Sequence, residues 1–322
     1  MIVVAVAMNL LRSSKPQISP EQLKEQARIE AKSKKFTKAP SFEAIKEALA
    51  EKKVLLLYFF TGSCSNCEAA SPHVNAWYDK YSPAGVQIVG VHTPEFNYQR
   101  DEANLKETIN KLGIKYPVVA DNDYKIWRAY ENDLWPKFYV IDRDGFIEYS
   151  HAGEGAYYQT EANLKFVLNE GVEMKDTSPL IDTDGTLPLA PKTGDTYLGS
   201  VRNDNLGSGE PRKAGTQLLT IPKIVDLNAL YLSGTWEFSN EYTENRTSKA
   251  KIVIKYNAKE VYLVARSTEP NKLTLSQDGK KTEIEISKSD IYKLITNDTE
   301  GEHTLEITIA KPDLKAYVLR FR

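Results

Sequence analysis

The chain has 322 residues, 41% of them hydrophobic and 27% charged, which describes a globular protein too long for one ordinary domain. Its 42 basic and 44 acidic residues are mixed along the chain and leave a formal charge of −2, so neither a nucleic-acid surface nor an acidic tail is expected. Two cysteines exclude a disulfide-stapled scaffold, which carries several pairs.

Met1 to Leu11 is apolar apart from Asn9, has no basic residue before it, and is shorter than the ~18 residues needed to span a bilayer. It reads as the end of a membrane segment, an atypical signal sequence or a buried terminal segment. Residues 13–38 are polar and Lys-rich, a solvated helix and linker. Pro40-Ser41 then opens a helix with Phe42, Ile45, Ala48 and Leu49 on one face and Ser41 as its N-cap. The unbroken apolar run Val54–Phe60 is a buried strand.

Cys64-Ser65-Asn66-Cys67 follows that strand and leads into a helix, which Pro72 should kink. At a helix N-terminus the first sulfur meets unpaired N–H groups and the positive end of the dipole, both of which favour thiolate. The second sulfur lies one turn on along the same face, within reach of a disulfide. Zinc needs four ligands, and His73, His92, His151 and His303 are scattered without ligand spacing. Redox chemistry is therefore the expected use of the pair, with no metal and no other cofactor.

Residues 86–91 form the next strand, and Leu105, Ile109 and Leu112 mark an amphipathic helix stopped by Gly113. A short strand at 117–120, a short helix at 123–130 and two strands at 137–141 and 146–149 follow. Arg143-Asp144-Gly145 is the turn between the last two, and a helix at 161–170 ends at Gly171. This alternation gives an α/β sandwich. Residues 176–192 turn to Thr, Ser, Pro, Asp and Gly and read as a linker. Beyond it, one-sided strands such as 252–256, 305–309 and 317–321 point to an antiparallel β-sandwich of jelly-roll type. Trp236 and Tyr242 are either sugar-stacking aromatics or core.

Residues 41–171 resemble the thioredoxin superfamily, and more narrowly its extracytoplasmic TlpA-like or DipZ-like thiol–disulfide reductases. The resemblance rests on Cys64-x-x-Cys67, on Pro72 five residues later, and on Trp135-Pro136 before the strand Phe138–Asp142. It rests also on Val89–Phe96, Tyr116–Tyr124 and Gly153-Glu154-Gly155. The β-rich half, with Leu232–Trp236 and Glu302–Glu306, is similar to the carbohydrate-module-like domain that follows thioredoxin in DipZ-type proteins. The resemblance implies a preceding segment (1–40), a thioredoxin-like domain (41–172), a linker (173–193) and a β-sandwich domain (194–322). It also implies that Cys64 is the nucleophile and Cys67 the resolving thiol. Pro136 should be a cis-proline facing the disulfide, with an ordinary trans proline as the alternative, and Trp135 should line the substrate groove. Many relatives keep a buried Asp where this chain has Tyr58; Glu95 falls where TlpA-type reductases place a glutamate, as proton acceptor or as a plain loop acid. Implied partners are protein thiols and disulfides, an electron donor that membrane systems can supply, and a glycan or protein ligand of the β-half. The implied setting is extracytoplasmic, with the N-terminus available as a tether. A binding protein whose thioredoxin half is a redox-sensitive support is the competing reading. A peroxidase is disfavoured because Thr61-Gly62-Ser63 lacks the proline such sites place before the reactive cysteine. Ser65-Asn66 carries no charge, which favours a reductant over a strong oxidant.

Overall fold

A computed structural model describes residues 19–173 and 175–322. The apolar segment 1–11 lies outside the described residues. A lone helix α1 (Pro20–Ser33) comes first, and then β1 (Thr37–Lys38), α2 (Glu43–Ala50), β2 (Val54–Phe60), α3 (Ser65–Tyr81) and β3 (Val86–His92). They continue into α4 (Glu102–Lys111), β4 (Val118–Ala120), α5 (Lys125–Ala129), β5 (Lys137–Ile141), β6 (Phe146–Ala152) and α6 (Tyr157–Leu168). The strands form one sheet in the order β1-β6-β5-β2-β3-β4, with β3 parallel to both β2 and β4 and the other pairs antiparallel.

β2 is central, and every one of its seven residues is buried. Its alternate side chains feed two cores. Val54, Leu56, Tyr58 and Phe60 pack under α3 and α6 with Trp77, Tyr81 and Leu164. Leu55, Leu57 and Phe59 face α2 and α5 with Ile45, Ala48 and Tyr130. A fully buried strand thus explains the unbroken apolar run. Ser41 does not cap α2: Phe42 holds that position without a side-chain cap, because its ring is drawn against Tyr130 in the core. α6 begins four residues before the expected start, where Tyr157 stacks on His73 of α3.

The Lys-rich segment expected to be solvated and the linker at 176–192 are both tied down. Lys32 of α1 places its ammonium 2.6, 2.9 and 2.8 Å from Asp142, Glu148 and Glu170, a single cation shared by three clustered carboxylates. The linker is strapped along α3 and α6. The Asp182 carboxylate accepts from Trp77 Nε1 at 2.8 Å and pairs with His73 Nδ1 at 2.5 Å. The Glu161 carboxylate accepts from the Ile181 and Asp182 N–H groups, each at 2.8 Å.

The second half holds β7 (Thr196–Tyr197), β8 (Gly215–Leu219), β9 (Leu230–Phe238), β10 (Thr243–Asn245), β11 (Ala250–Asn257) and β12 (Glu260–Arg266). It is completed by β13 (Asn271–Gln277), β14 (Lys280–Ile286), β15 (Asp290–Thr296), β16 (Glu302–Ile309) and β17 (Lys315–Phe321). All these strands pair antiparallel. β14-β13-β16-β11 leads to β9, whose first half pairs β11 and whose second half pairs β8 and β10, leading on to β17-β12-β15. The bend in β9 falls at Gly234, with φ +96°, where any Cβ would sit 2.6 Å from Thr247 Oγ1. Between the layers lies a core including Trp236, Phe238, Ile252, Ile254, Leu305 and Leu319. Trp236 is fully buried and belongs to the core, and Tyr242 is half-buried with its ring against Tyr317.

The halves are joined by packed side chains. Phe96 and Tyr98, in the loop after β3, lie 4.9 and 5.1 Å from Tyr317 and pack with Tyr262, Val264 and Val318. Lys111 of α4 bridges Glu68 at 2.5 Å and Asp290 of β15 at 2.7 Å.

Candidate active site

β2 ends in the core at Phe60, and Thr61-Gly62-Ser63 carries the chain over to α3. Gly62 is required there, since a Cβ would lie 2.6 Å from Thr108 Oγ1 on α4. Cys64 is the N-cap residue of α3, and its Sγ accepts from the Cys67 N–H at 3.0 Å. A disulfide links Cys64 to Cys67, with their Cα atoms 5.1 Å apart. Cys67 is fully buried and Cys64 is 6% exposed. Beneath them the Tyr58 hydroxyl and the Ser71 hydroxyl both donate to the Cys67 carbonyl, at 3.0 and 2.9 Å. Burial drives the Tyr58 phenol far above its ordinary range, so it offers no base near neutral pH.

The Trp135–Pro136 peptide is cis. Trp135 stacks near Trp127, with ring centroids 4.4 Å apart, and shares a small cavity with Cys64, Ser65 and Asn66. Trp127 and Tyr130 belong to the α2-side core. His73 is engaged by Asp182 and Tyr157. His92 is fully buried with no hydrogen-bond partner on either ring nitrogen, and burial pushes its pKa down to about 4.

Glu95 is neither a free base nor a solvated loop acid. Its side chain is 2% exposed and is held by the Arg320 guanidinium, by the Ser63 hydroxyl at 2.6 Å and by the Tyr197 hydroxyl at 2.7 Å. Burial pushes its carboxyl up, but Arg320 and these two hydrogen bonds outweigh it and hold the group below the usual carboxylate range.

Arg320 is the residue that sequence reasoning missed. It comes from β17, yet its Nε donates to the Ser63 carbonyl, next to Cys64, at 2.6 Å. Its terminal nitrogens pair with Glu95 and Asp195. Asp195, Arg320 and Phe321 complete the walls of the cavity over Cys64, whose volume is about 80 Å³. The only sequence signal was a lone Arg in an apolar strand, where a burial partner is obligatory. Nothing in the pattern told which partner.

A model of the AhpC/TSA family matches residues 29–150, and one described as a thioredoxin like C-terminal domain matches residues 193–321. Thiol-disulfide oxidoreductase YkuV of Bacillus subtilis (strain 168) is 33% identical over 128 residues, covering 40% of this chain and 86% of YkuV. The chain belongs to the thioredoxin-like thiol–disulfide oxidoreductases. Protein DipZ of Mycobacterium tuberculosis (strain CDC 1551 / Oshkosh) is 34% identical over 263 residues, spanning both halves and covering 80% of this chain. The chain spans 37% of the length of DipZ. The solution structure of a thioredoxin-like protein in the oxidised form is 33% identical, covers 37% of this chain and 80% of that chain, and has a TM-score of 0.35. As in the family, the reactive unit is a dithiol that a disulfide can replace, here already closed across one helical turn. Among the described residues no helix is long and apolar enough to cross a membrane.

Proposed function

We propose that the protein reduces disulfides of polypeptide substrates, with Cys64 as nucleophile and Cys67 as resolving thiol. In the reduced protein the Cys64 thiolate attacks one sulfur of the partner disulfide. That bond breaks, a mixed disulfide forms, and the departing sulfur takes up a proton. Cys67 then attacks Cys64 Sγ, releases the second partner thiol and restores the Cys64–Cys67 disulfide. An external dithiol donor, membrane-borne in the extracytoplasmic setting proposed here, returns two electrons. The observation that carries the assignment of roles is burial: Cys64 caps α3 at the cavity, whereas Cys67 is sealed beneath it.

The direction rests on charge. Ser65 and Asn66 bring none, and the Arg320 charge beside the site is offset by two carboxylates. No net positive field favours the thiolate strongly enough to make an oxidant. In this reading Trp135 and Pro136 flank the substrate, while Glu95 anchors Arg320 in place of serving as proton acceptor. The thioredoxin-like unit is residues 41–172, to which the preceding segment 1–40 adds the edge strand β1 (Thr37–Lys38), and the β-unit is 194–322, with 173–193 joining them. The test is turnover of a disulfide-bonded unstructured peptide with dithiothreitol as donor. The wild type should accelerate the reaction well beyond the donor alone, and Cys64→Ser should not. Equal rates for the two proteins would refute the assignment.

A further inference from the structure

We propose that the C-terminal half is a filter over the disulfide, admitting a sulfur carried on a slender, extended peptide and excluding one on the surface of a folded domain. The proposal rests on the redox reading above and names its substrate class. Cys64 heads α3, a position that by itself would open to solvent, yet it is 6% exposed. What covers it is Asp195, Arg320 and Phe321, all from the second half, facing Trp135 across a cavity of about 80 Å³. Pockets that bury a drug-sized molecule run to ~300–1,000 Å³. Exchange requires one substrate sulfur against Cys64 Sγ and room for its partner sulfur to depart. A bare peptide strand satisfies that in a narrow slot. A folded domain carries backbone on both flanks of its disulfide, and those flanks meet the Asp195–Phe321 wall before the sulfurs meet.

The wall is fixed in place. Arg320, 8% exposed, donates through Nε to the Ser63 carbonyl at 2.6 Å and pairs with Glu95 and Asp195 through its two terminal nitrogens. Tyr197 donates to Glu95 at 2.7 Å, and the Arg202 guanidinium lies 3.3 Å over the Tyr197 ring. Swinging the second half aside would take from the 2%-exposed Glu95 carboxylate both Arg320 and Arg202, whose Nη1 lies 3.7 Å away, a costly change for a buried charge. The loop aromatics Phe96 and Tyr98, packed on Tyr317, oppose the same motion.

The experiment compares oxidised glutathione with insulin as substrates of the full chain, with dithiothreitol as donor and the uncatalysed rates subtracted. The wild type should reduce oxidised glutathione and leave insulin near its uncatalysed rate. Arg320→Met removes the latch, and Asp195→Ala trims the wall at a side chain that is itself one-third exposed, so one variant survives if the other fails to fold. Each folded variant should raise the insulin-to-glutathione rate ratio about tenfold. Wild-type protein that reduces insulin as readily as glutathione, or folded variants with an unchanged ratio, would overturn the filter. Failure of the wild type on both substrates would instead overturn the redox reading on which the filter stands.

Discussion

At the scale of single residues, the two cysteines differ in burial, and the roles proposed for them rest on that difference. Cys64 touches the cavity and Cys67 has no exposed surface. Cys67→Ser should accumulate mixed disulfides with disulfide-bearing substrates on a non-reducing gel, and Cys64→Ser should accumulate few. The reverse pattern would exchange the roles. His92 makes a separate prediction about stability. Its folded pKa of about 4 lies below the ~6.5 of an unfolded histidine, so the unfolded chain binds the extra proton. The stability tied to neutral His92 is complete above pH 6.5 and is lost as pH falls toward 4. Between pH 7 and pH 5 the wild type should lose about 2 kcal/mol more than His92→Leu in denaturant titrations. Equal losses would show that this ring is not responsible. The cysteines were legible in the sequence because chemistry fixes their spacing. Arg320 was not, because its partners Ser63 and Glu95 lie more than two hundred residues away along the chain.

At the scale of elements, the apolar run of β2, the Cys-x-x-Cys helix and the alternating strand β16 follow directly from side-chain period. β17, expected to be one-sided, is buried from Ala316 to Phe321, because Tyr317 and Val318 pack against the loop after β3 and Arg320 reaches the Ser63 carbonyl. β16 reports its burial locally. The joining of both sheets through one strand does not, since β9 reads as a single strand and only the positive φ of Gly234 shows the bend. Gly234→Ala should cost about 1–3 kcal/mol, from the left-handed backbone and the clash with Thr247, read as a shift in the denaturation midpoint. A midpoint within error of the wild type would mean that β9 bends elsewhere. The contacts of the linker were not legible for a similar reason. Its polarity is real, but Asp182 and the backbone of Ile181 find buried partners in Trp77 and Glu161 that composition does not reveal.

At the scale of the whole molecule, the two halves meet at the reactive disulfide, with Arg320 reaching the Ser63 carbonyl and the β3 loop packed into the sandwich. A charge-balanced site of this kind holds a dithiol with no strong bias toward thiolate. The most direct test is equilibration of the full chain in dithiothreitol redox buffers, with both thiols counted by alkylation and mass. The account expects Cys64 and Cys67 to change together in one two-electron step, with a midpoint near the thioredoxin value of about −270 mV. A pair that never reduces, thiols that change independently, or a midpoint near about −120 mV would contradict it.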